Sequence, residues 1–541
     1  MAKKWPVAVN AAAGLVLAGF IGWQFIGGGG EESAAPETVA VEEAEAPGES
    51  APQEAARVEG ATGVDGERIS NADAEPGNWL AHGRSYNEQR FSPLDQITPE
   101  NIGELSLAWS MDTGTTRGLE ATPIVVDGTM YMSLTWGVTI AVDAKSGEEL
   151  WRFDPEVPGE WGRYGCCDVV NRGVAVWKGR VYVASFDGRL FALDAKDGSV
   201  VWEVNTIPGP PYTITGAPRV FNDKVVIGNG GGEYGVRGYI TAYDTETGEE
   251  AWRFYTVPGD PDLPLENPEL EAAVPTWKGG EWWKVGGGGT AWDSMVFEPE
   301  TNTLYVGTGN GSPWTREIRS PGGGDNLYLS SIIALDADSG RMKWYYQTTP
   351  GDNWDYTATQ PLMLADIEIG GETRKVIMQA PKNGFFYVLD RMTGELISAN
   401  PFSTVTWASH VDLETGRPVE TGEGEYGDRT AFVLPSANGA HNWHPMAFSP
   451  ETGLVYIPTQ DIAGIYSLSE QWKNEGAFTP KKNWWNTGID WTDYIDAINA
   501  LPEIPMEKGY LKAWDPATGE MKWQAEYPAP RTGVGRACAG K

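Results

Sequence analysis

Two cysteines stand side by side in Gly165-Cys166-Cys167-Asp168, in a 541-residue chain with three cysteines in all. Consecutive Cα atoms sit about 3.8 Å apart across a trans peptide and about 2.9 Å across a cis one. Ordinary disulfides span about 4.4–6.8 Å. A bond between Cys166 and Cys167 would therefore close a tight ring around a distorted or cis peptide. Loop closure cannot be its purpose, because almost no chain is enclosed, and strain of that kind is kept at functional sites.

Other stretches are too polar or too glycine-dense for strand packing. They are Gly118-Leu-Glu-Ala-Thr122, Asn229-Gly-Gly-Gly-Glu233, Gly286-Gly-Gly-Gly-Thr-Ala-Trp-Asp293, Gly307-Thr-Gly-Asn-Gly-Ser312, Gly351-Asp-Asn-Trp-Asp-Tyr-Thr357, Ala380-Pro-Lys-Asn-Gly384 and Ala440-His-Asn-Trp-His444. Gathered in one place, Glu233, Asn310 and Asp355 would offer the hard oxygen ligands that calcium takes. Lys382, Arg172 and backbone N–H groups would suit an anionic, carboxylate-bearing ligand. Trp292 would give a planar ring a surface to stack on. Each residue alone also has a plain structural reading: a turn glutamate, a solvated aspartate, a tightly packed glycine loop.

Several chemistries find no support. His82, His410, His441 and His444 lack H-x-x-x-H and H-E-x-x-H spacing, so zinc is not indicated. There is no G-x-S-x-G elbow and no C-x-x-C-H for a covalently held haem. The net charge of -35 argues against a nucleic-acid partner, because phosphate would be repelled.

The elements that must position these loops are legible as a repeat. AVDAKSGEELWRF (141–153), ALDAKDGSVVWEV (192–204), AYDTETGEEAWRF (242–254), ALDADSGRMKWYY (334–346) and AWDPATGEMKWQA (513–525) share one form, and VLDRMTGELIS (388–398) repeats its front half. Each reads strand, Asp-x-x-x-Gly turn, strand, Trp. The Asp bonds back to nearby backbone N–H groups and the Gly supplies φ > 0. With a second hairpin upstream, as in 174–193, the unit is four strands in about 50 residues, the signature of a β-propeller blade. The spacing suggests seven to eight blades, with the recurrent Trp packing between them. Loops of successive blades then converge on one end of the central channel. The motif at 78–98 is expected to supply an outer closing strand.

The N-terminus reads differently. Residues 6–26 are uncharged and long enough for a transmembrane helix, with Lys3 and Lys4 in front favouring a cytoplasmic N-terminus. A cleaved signal peptide is the rival reading. Residues 31–60 hold nine Glu and one Arg and no aromatic residue, a composition that stays disordered and self-repelling. The expected organisation is thus a membrane anchor over 1–27, an acidic disordered linker over 28–75 and a propeller over 76–541. The export this implies permits a disulfide.

The motifs RGLEATP, GCCDVVNRG, TGAPRV, GNGGGEYGVRG, GGGGTAWD, GTGNGSPW, GDNWDYTATQP, APKNGFFYVLDR and GAHNWHPM resemble those of the quinoprotein alcohol dehydrogenases. These are all-β, eight-bladed propellers that use pyrroloquinoline quinone (PQQ). The resemblance runs from about Asn78 to Pro528, most of the chain. It implies that Cys166 and Cys167 form a vicinal disulfide over one face of the quinone, with Trp292 beneath. It implies Glu233, Asn310 and Asp355 as metal ligands and Asp355 as the catalytic base. Glu120, Arg172, Thr215, Gly231, Gly232, Thr290, Lys382, Asn442 and Trp443 would line and bond the cofactor. Lanthanide-using relatives carry an extra Asp two positions after the base; here that residue is Thr357, which implies calcium.

The implied reaction is oxidation of a small alcohol to an aldehyde or ketone by hydride transfer to the quinone. Electrons would pass on to a separate cytochrome c or another acceptor on the periplasmic side. The chain ends in RTGVGRACAGK, which has no β pattern, so the last blade is expected to be incomplete. The alternative reading is a non-catalytic propeller scaffold or a decayed dehydrogenase.

Overall fold

The computed structural model describes residues 61–482, 484–490 and 507–528, together with the backbone of 539–540. The expected anchor, most of the acidic linker and most of the C-terminal tail lie outside the described residues. No helix among those described is long and apolar enough to cross a membrane.

The fold is an all-β propeller. Among the described residues, six four-stranded antiparallel sheets follow one another along the chain. The first is typical: Ile124–Val126, Thr129–Ser133, Thr139–Asp143 and Glu149–Phe153 pair in sequence order. The others run over 175–205, 219–255, 295–347, 362–401 and 447–526. Beside these lie a hairpin, Ala408–Asp412 with Arg417–Glu420, and the pair Ala431–Val433 with Gly464–Tyr466. First strands of neighbouring blades touch one another, so they line the centre. Fourth strands face outward, and Glu520–Glu526 is exposed along its length.

The repeat works as a set of local devices. In the third blade, Asp244 Oδ1 accepts from the backbone N–H groups of Glu246 at 2.9 Å and Thr247 at 2.8 Å. The turn then closes at Gly248, whose φ is +72°. The same aspartate bond recurs from Asp143 to Asp515. A seventh copy, Asp412-Leu-Glu-Thr-Gly416, sits in the extra hairpin.

The tryptophans of the first blades reach into the next one. Trp151 Nε1 donates to Ala195 O at 3.0 Å, Trp202 to Thr245 O at 3.0 Å and Trp252 to Ala337 O at 3.1 Å. Their rings lie flat against the turn glycines of those blades. A β-carbon at Gly198 would come within 2.6 Å of Trp151, and one at Gly340 within 2.6 Å of Trp252. Trp109 does the same ahead of the first blade, donating to Ala144 O at 3.2 Å.

The N-terminal side departs from expectation. Residues 61–75, placed at the end of the expected 28–75 linker, are folded. Asp65 caps the helix Gly66–Ser70 by accepting from Arg68 N–H at 2.9 Å, and Ala61, Val64, Ile69 and Ala72 are buried. Four apolar residues suffice here because they dock on an existing core. The following segment does not add an outer strand but runs across the inner ones. Trp79 bridges Val125, Tyr86 Oη donates to Val220 O, and Asn87 O and Gln89 O accept from Leu364 and Phe448. Its Glu88 pairs with Arg219 at 2.7 Å in the buried centre. Phe91–Ser92 then pairs in parallel with Ala539–Gly540, so two residues of the tail are strand after all.

Candidate active site

In a four-stranded meander, the loop entering the first strand and the loop joining the second to the third lie at the same end. The third-to-fourth turn lies at the other. The loops bearing Glu120, Cys166, Cys167, Arg172, Thr215, Thr290, Trp292, Asp355, Asn442 and Trp443 enter first strands. Those bearing Gly231, Gly232, Glu233, Asn310 and Lys382 join second strands to third. All the candidate residues therefore stand at one end, and all the Asp-x-x-x-Gly turns of these blades at the other.

Backbone bonds stitch the entering loops together across blades. Thr122 N–H donates to Arg172 O, and Arg172 N–H donates to Thr215 O, both at 3.0 Å. A β-carbon at Gly216 would stand 2.9 Å from Trp292 O. Glu120, Arg172, Thr215 and Trp292 are drawn together by this seam.

Arg172 is the centre of a first cluster. Its Nη2 lies 2.9 Å from Glu120 Oε2, and its Nη1 donates to Thr215 Oγ1 at 2.7 Å. Its guanidinium carbon lies 4.9 Å from the centre of the Trp292 ring and 5.7 Å from that of Trp443, within reach of cation–π attraction. Burial opposes its charge, but the carboxylates of Glu120 and Asp293 outweigh burial and hold it protonated.

Lys382 and Asp355 form a second cluster. Lys382 Nζ donates to Asp355 Oδ2 at 2.9 Å and to Asp355 O at 3.1 Å, and both side chains are buried. Asp355 Oδ1 is also buried and has no hydrogen-bond partner. Burial pushes the Asp355 carboxyl well above the usual carboxylate range. Lys382 pulls against this and nearby Glu233 adds to it. Asn310 is buried, and its Nδ2 donates to Gly311 O at 3.1 Å. A β-carbon at Gly232 would lie 3.6 Å from both Asn310 Oδ1 and Thr290 Oγ1, which places these three residues side by side. Gly231 (φ +102°) turns the chain into the short 3-10 helix that presents Glu233.

The four glycines at 286–289 are required by their backbone conformation, and all but Gly287 by close approach as well. All four have φ between +77° and +88°, and a β-carbon at Gly288 would fall 2.3 Å from Asn310 O. Asn442 Oδ1 accepts from Gln360 Nε2 at 3.4 Å and anchors the turn that offers Trp443. Thr357 is occupied by Gln360 and Thr359.

The expected disulfide is absent. Cys166 and Cys167 are free thiols with Sγ atoms 2.9 Å apart, beyond the roughly 2.05 Å of a bond. Closure would twist the single peptide between them, and the pair instead shares a sulfur hydrogen bond. That bond and burial raise the Cys166 thiol. Asp168 (φ +72°) fixes the turn beyond the pair and forms an ion pair with Arg117.

Three charged residues here were not singled out by sequence. Asp293 Oδ1 lies 4.0 Å from Arg172 Nε, and Asp352 and Arg319 flank the Asp355 loop. All three are buried, a property their local sequence does not display. The segment at 485–486 also borders the site: Trp485 Nε1 donates to Tyr234 Oη at 3.0 Å, and Asn486 N–H to Glu233 O at 2.7 Å.

The residues fit the implied groups. Among the described residues no three His, Cys, Asp or Glu side chains gather as a metal set; the expected set has two carboxylates and the Asn310 amide, all oxygen donors. The buried, unbonded Asp355 Oδ1 suits a hard cation. Arg172 between two tryptophans suits an anionic planar ring.

Comparison with known proteins bears on this end of the molecule. A family profile described as PQQ: glucose/ethanol/alcohol dehydrogenase, beta-propeller domain, matches residues 79–405. The quinohemoprotein alcohol dehydrogenase ADH IIB of Pseudomonas putida is 56% identical over 481 residues, 89% of this chain and 68% of that protein. The 1-butanol dehydrogenase (cytochrome c) of Thauera butanivorans is 48% identical over 477 residues, 86% of this chain and 67% of its own length. The crystal structure of the quinohemoprotein alcohol dehydrogenase of Comamonas testosteroni aligns with a TM-score of 0.83 at 52% identity, covering 88% of this chain and 71% of that one.

Proposed function

This chain belongs to the PQQ-dependent glucose/ethanol/alcohol dehydrogenase family, and from that premise we propose that it oxidises a small alcohol with Asp355 as the proton-accepting base. The product is an aldehyde or ketone. The observation that carries this reading is the buried Lys382–Asp355 pair, in which Lys382 takes Oδ2 and leaves Oδ1 unbonded.

Glu233, Asn310 and Asp355 would hold calcium. Arg172, Glu120, Thr215, Thr290, Lys382 and Asn442 would bond PQQ, with Gly231 and Gly232 giving room and Trp292, Trp443, Cys166 and Cys167 bounding its faces. When bound, these groups supply a polarised carbonyl that accepts the hydride from the alcohol carbon. Asp355 takes the hydroxyl proton on its carboxylate. Lys382 holds Oδ2, fixing the carboxylate's rotation and supplying the positive charge that favours its ionised form. Burial of the pair excludes water from the transfer.

A separate cytochrome c is the proposed acceptor, with support from the butanol dehydrogenase named for one, and a periplasmic setting goes with it. An eight-bladed ring is the proposed count, as the family resemblance implies; the repeat spacing itself supports seven to eight blades. A non-catalytic scaffold is not favoured, because relatives above half identity are named as dehydrogenases.

The test is reconstitution with calcium and PQQ, followed by dye-linked oxidation of ethanol and 1-butanol. Asp355→Asn should lose on the order of 10³-fold in kcat, as removal of a general base does, while still taking up quinone. Turnover retained by that variant would overturn the assignment.

A further inference from the structure

Asp355 has φ +67°, a left-handed conformation that a non-glycine residue keeps only when its surroundings over-determine it. Asp352 provides the constraint. It is fully buried, and its Oδ1 accepts from the backbone N–H of Trp354 at 3.2 Å and of Tyr356 at 2.9 Å. Those are the N–H groups of the two residues on either side of Asp355. One carboxylate oxygen thus grips the backbone before and after the base.

Arg319 completes the arrangement from behind. It is 1% exposed, yet its direct acceptors are all neutral. Nε donates to Asn326 Oδ1 at 3.1 Å, Nη1 to Pro313 O at 2.6 Å and Trp314 O at 2.7 Å, and Nη2 to Asp352 O at 2.6 Å. A β-carbon at Gly311 would lie 2.1 Å from Arg319 Nη1, so the guanidinium lies against the residue that follows Asn310. A single planar fork therefore spans the two backbones that carry Asn310 and Asp355. A buried guanidinium needs compensating charge, and Asp352 is the nearby carboxylate that opposes its burial most strongly.

We propose that Asp352 and Arg319 are positioning residues for alcohol oxidation: Asp352 fixes the backbone of Asp355, and Arg319 sets the spacing between the Asn310 and Asp355 loops. The proposal rests on the reading of Asp355 as base and ligand. Neither residue touches the reacting atoms. A purely structural role predicts lost stability with an unchanged calcium requirement, whereas positioning predicts a calcium requirement that rises in a protein that still folds.

The experiment uses the full chain with calcium chloride in chelator buffers, following PQQ uptake by quenching of tryptophan fluorescence in the absence of alcohol. Asp352→Asn keeps an acceptor for both amides but loses the charge facing Arg319. Arg319→Lys replaces the fork by one ammonium, which cannot reach both loops. Each should raise half-saturating calcium at least about 10-fold and lower kcat about 10-fold, with KM for 1-butanol within about 3-fold and a cooperative thermal melt. Wild-type calcium requirement and kcat in both variants overturn the proposal, and so does failure of both to fold, which would mark the pair as structural. Asp355→Asn, run alongside, separates the two ideas. If it is inactive while the other variants match wild type, only the positioning fails. If it stays active, the base assignment falls and the calcium titrations still decide the positioning.

Discussion

Asp515 and Asp352 hold their turns by the same bond, Oδ1 accepting two backbone N–H groups a few residues ahead. They stand at opposite ends of the propeller and titrate in opposite directions. At Asp515, slight burial pushes the carboxyl up but is outweighed by Lys522 and the turn's own hydrogen bonds, so it lies below the usual range. At Asp352, burial dominates the same pair of amides and Arg319 besides, and the carboxyl is pushed up to about 6. Depth, not bonding pattern, separates a turn aspartate from one that can serve chemistry. The turn end uses its carboxylates for shape alone; the loop end keeps them dry and coupled to neighbouring charges.

The largest expected break in this comparison is Lys382→Met. Removing one partner of a buried ion pair costs about 3–5 kcal/mol. A carboxyl whose folded pKa is raised contributes stability that is full below its unfolded value and lost as pH rises through the folded one. Without Lys382 that loss deepens, so the gap to wild type in urea melts should be widest at pH 7 and shrink in acid. A gap independent of pH would contradict the raised Asp355 carboxyl. Next comes Trp202→Ala, expected to cost about 3 kcal/mol by emptying an inter-blade contact while leaving the calcium requirement of quinone uptake unchanged.

His444→Gln tests burial without charge. Burial, chiefly, depresses His444 to about 3. As pH falls below the ordinary histidine value of about 6.5, the unfolded chain takes a proton that the folded one refuses, and stability drops by about 1.4 kcal/mol per pH unit. Wild type should therefore lose about 2 kcal/mol more than the variant between pH 7 and 5. Equal losses would show that this histidine is not held neutral. The smallest effect is Asp515→Ala, about 1 kcal/mol with unchanged alcohol oxidation, which would show that the turn end is dispensable to the chemistry.

The blade repeat was legible because each device is local: an aspartate, a glycine four residues on, a tryptophan after the next strand. The copy at Asp412–Gly416 stands in a two-stranded hairpin and not in a four-stranded blade, so it lacks the strand pattern around the other turns. The polar loops recurring about once per blade marked the loop end, and antiparallel topology alone sends them there. Asp293, Asp352 and Arg319 were not legible, since an aspartate in Gly351-Asp-Asn-Trp-Asp reads alike whether solvated or buried. The cysteine pair was overread: adjacency marked the place, but the structure holds two thiols. Residues 61–89 gave no periodic signal, because much of their hold on the inner strands is made by backbone groups rather than by a patterned face.

The tryptophan contacts give the ring a direction. The first four blades each pass an indole forward onto the turn glycine of the next, Trp151 to Gly198, Trp202 to Gly248, Trp252 to Gly340 and Trp344 to Gly394. Damage therefore travels upstream: enlarging Gly248 dislodges Trp202 of the preceding blade before it disturbs its own. Cohesion is written as a chain of nearest-neighbour handshakes, so the order of assembly is carried in the sense of the sequence, and a whole repeat could be gained or lost without rewriting the grip between those that remain.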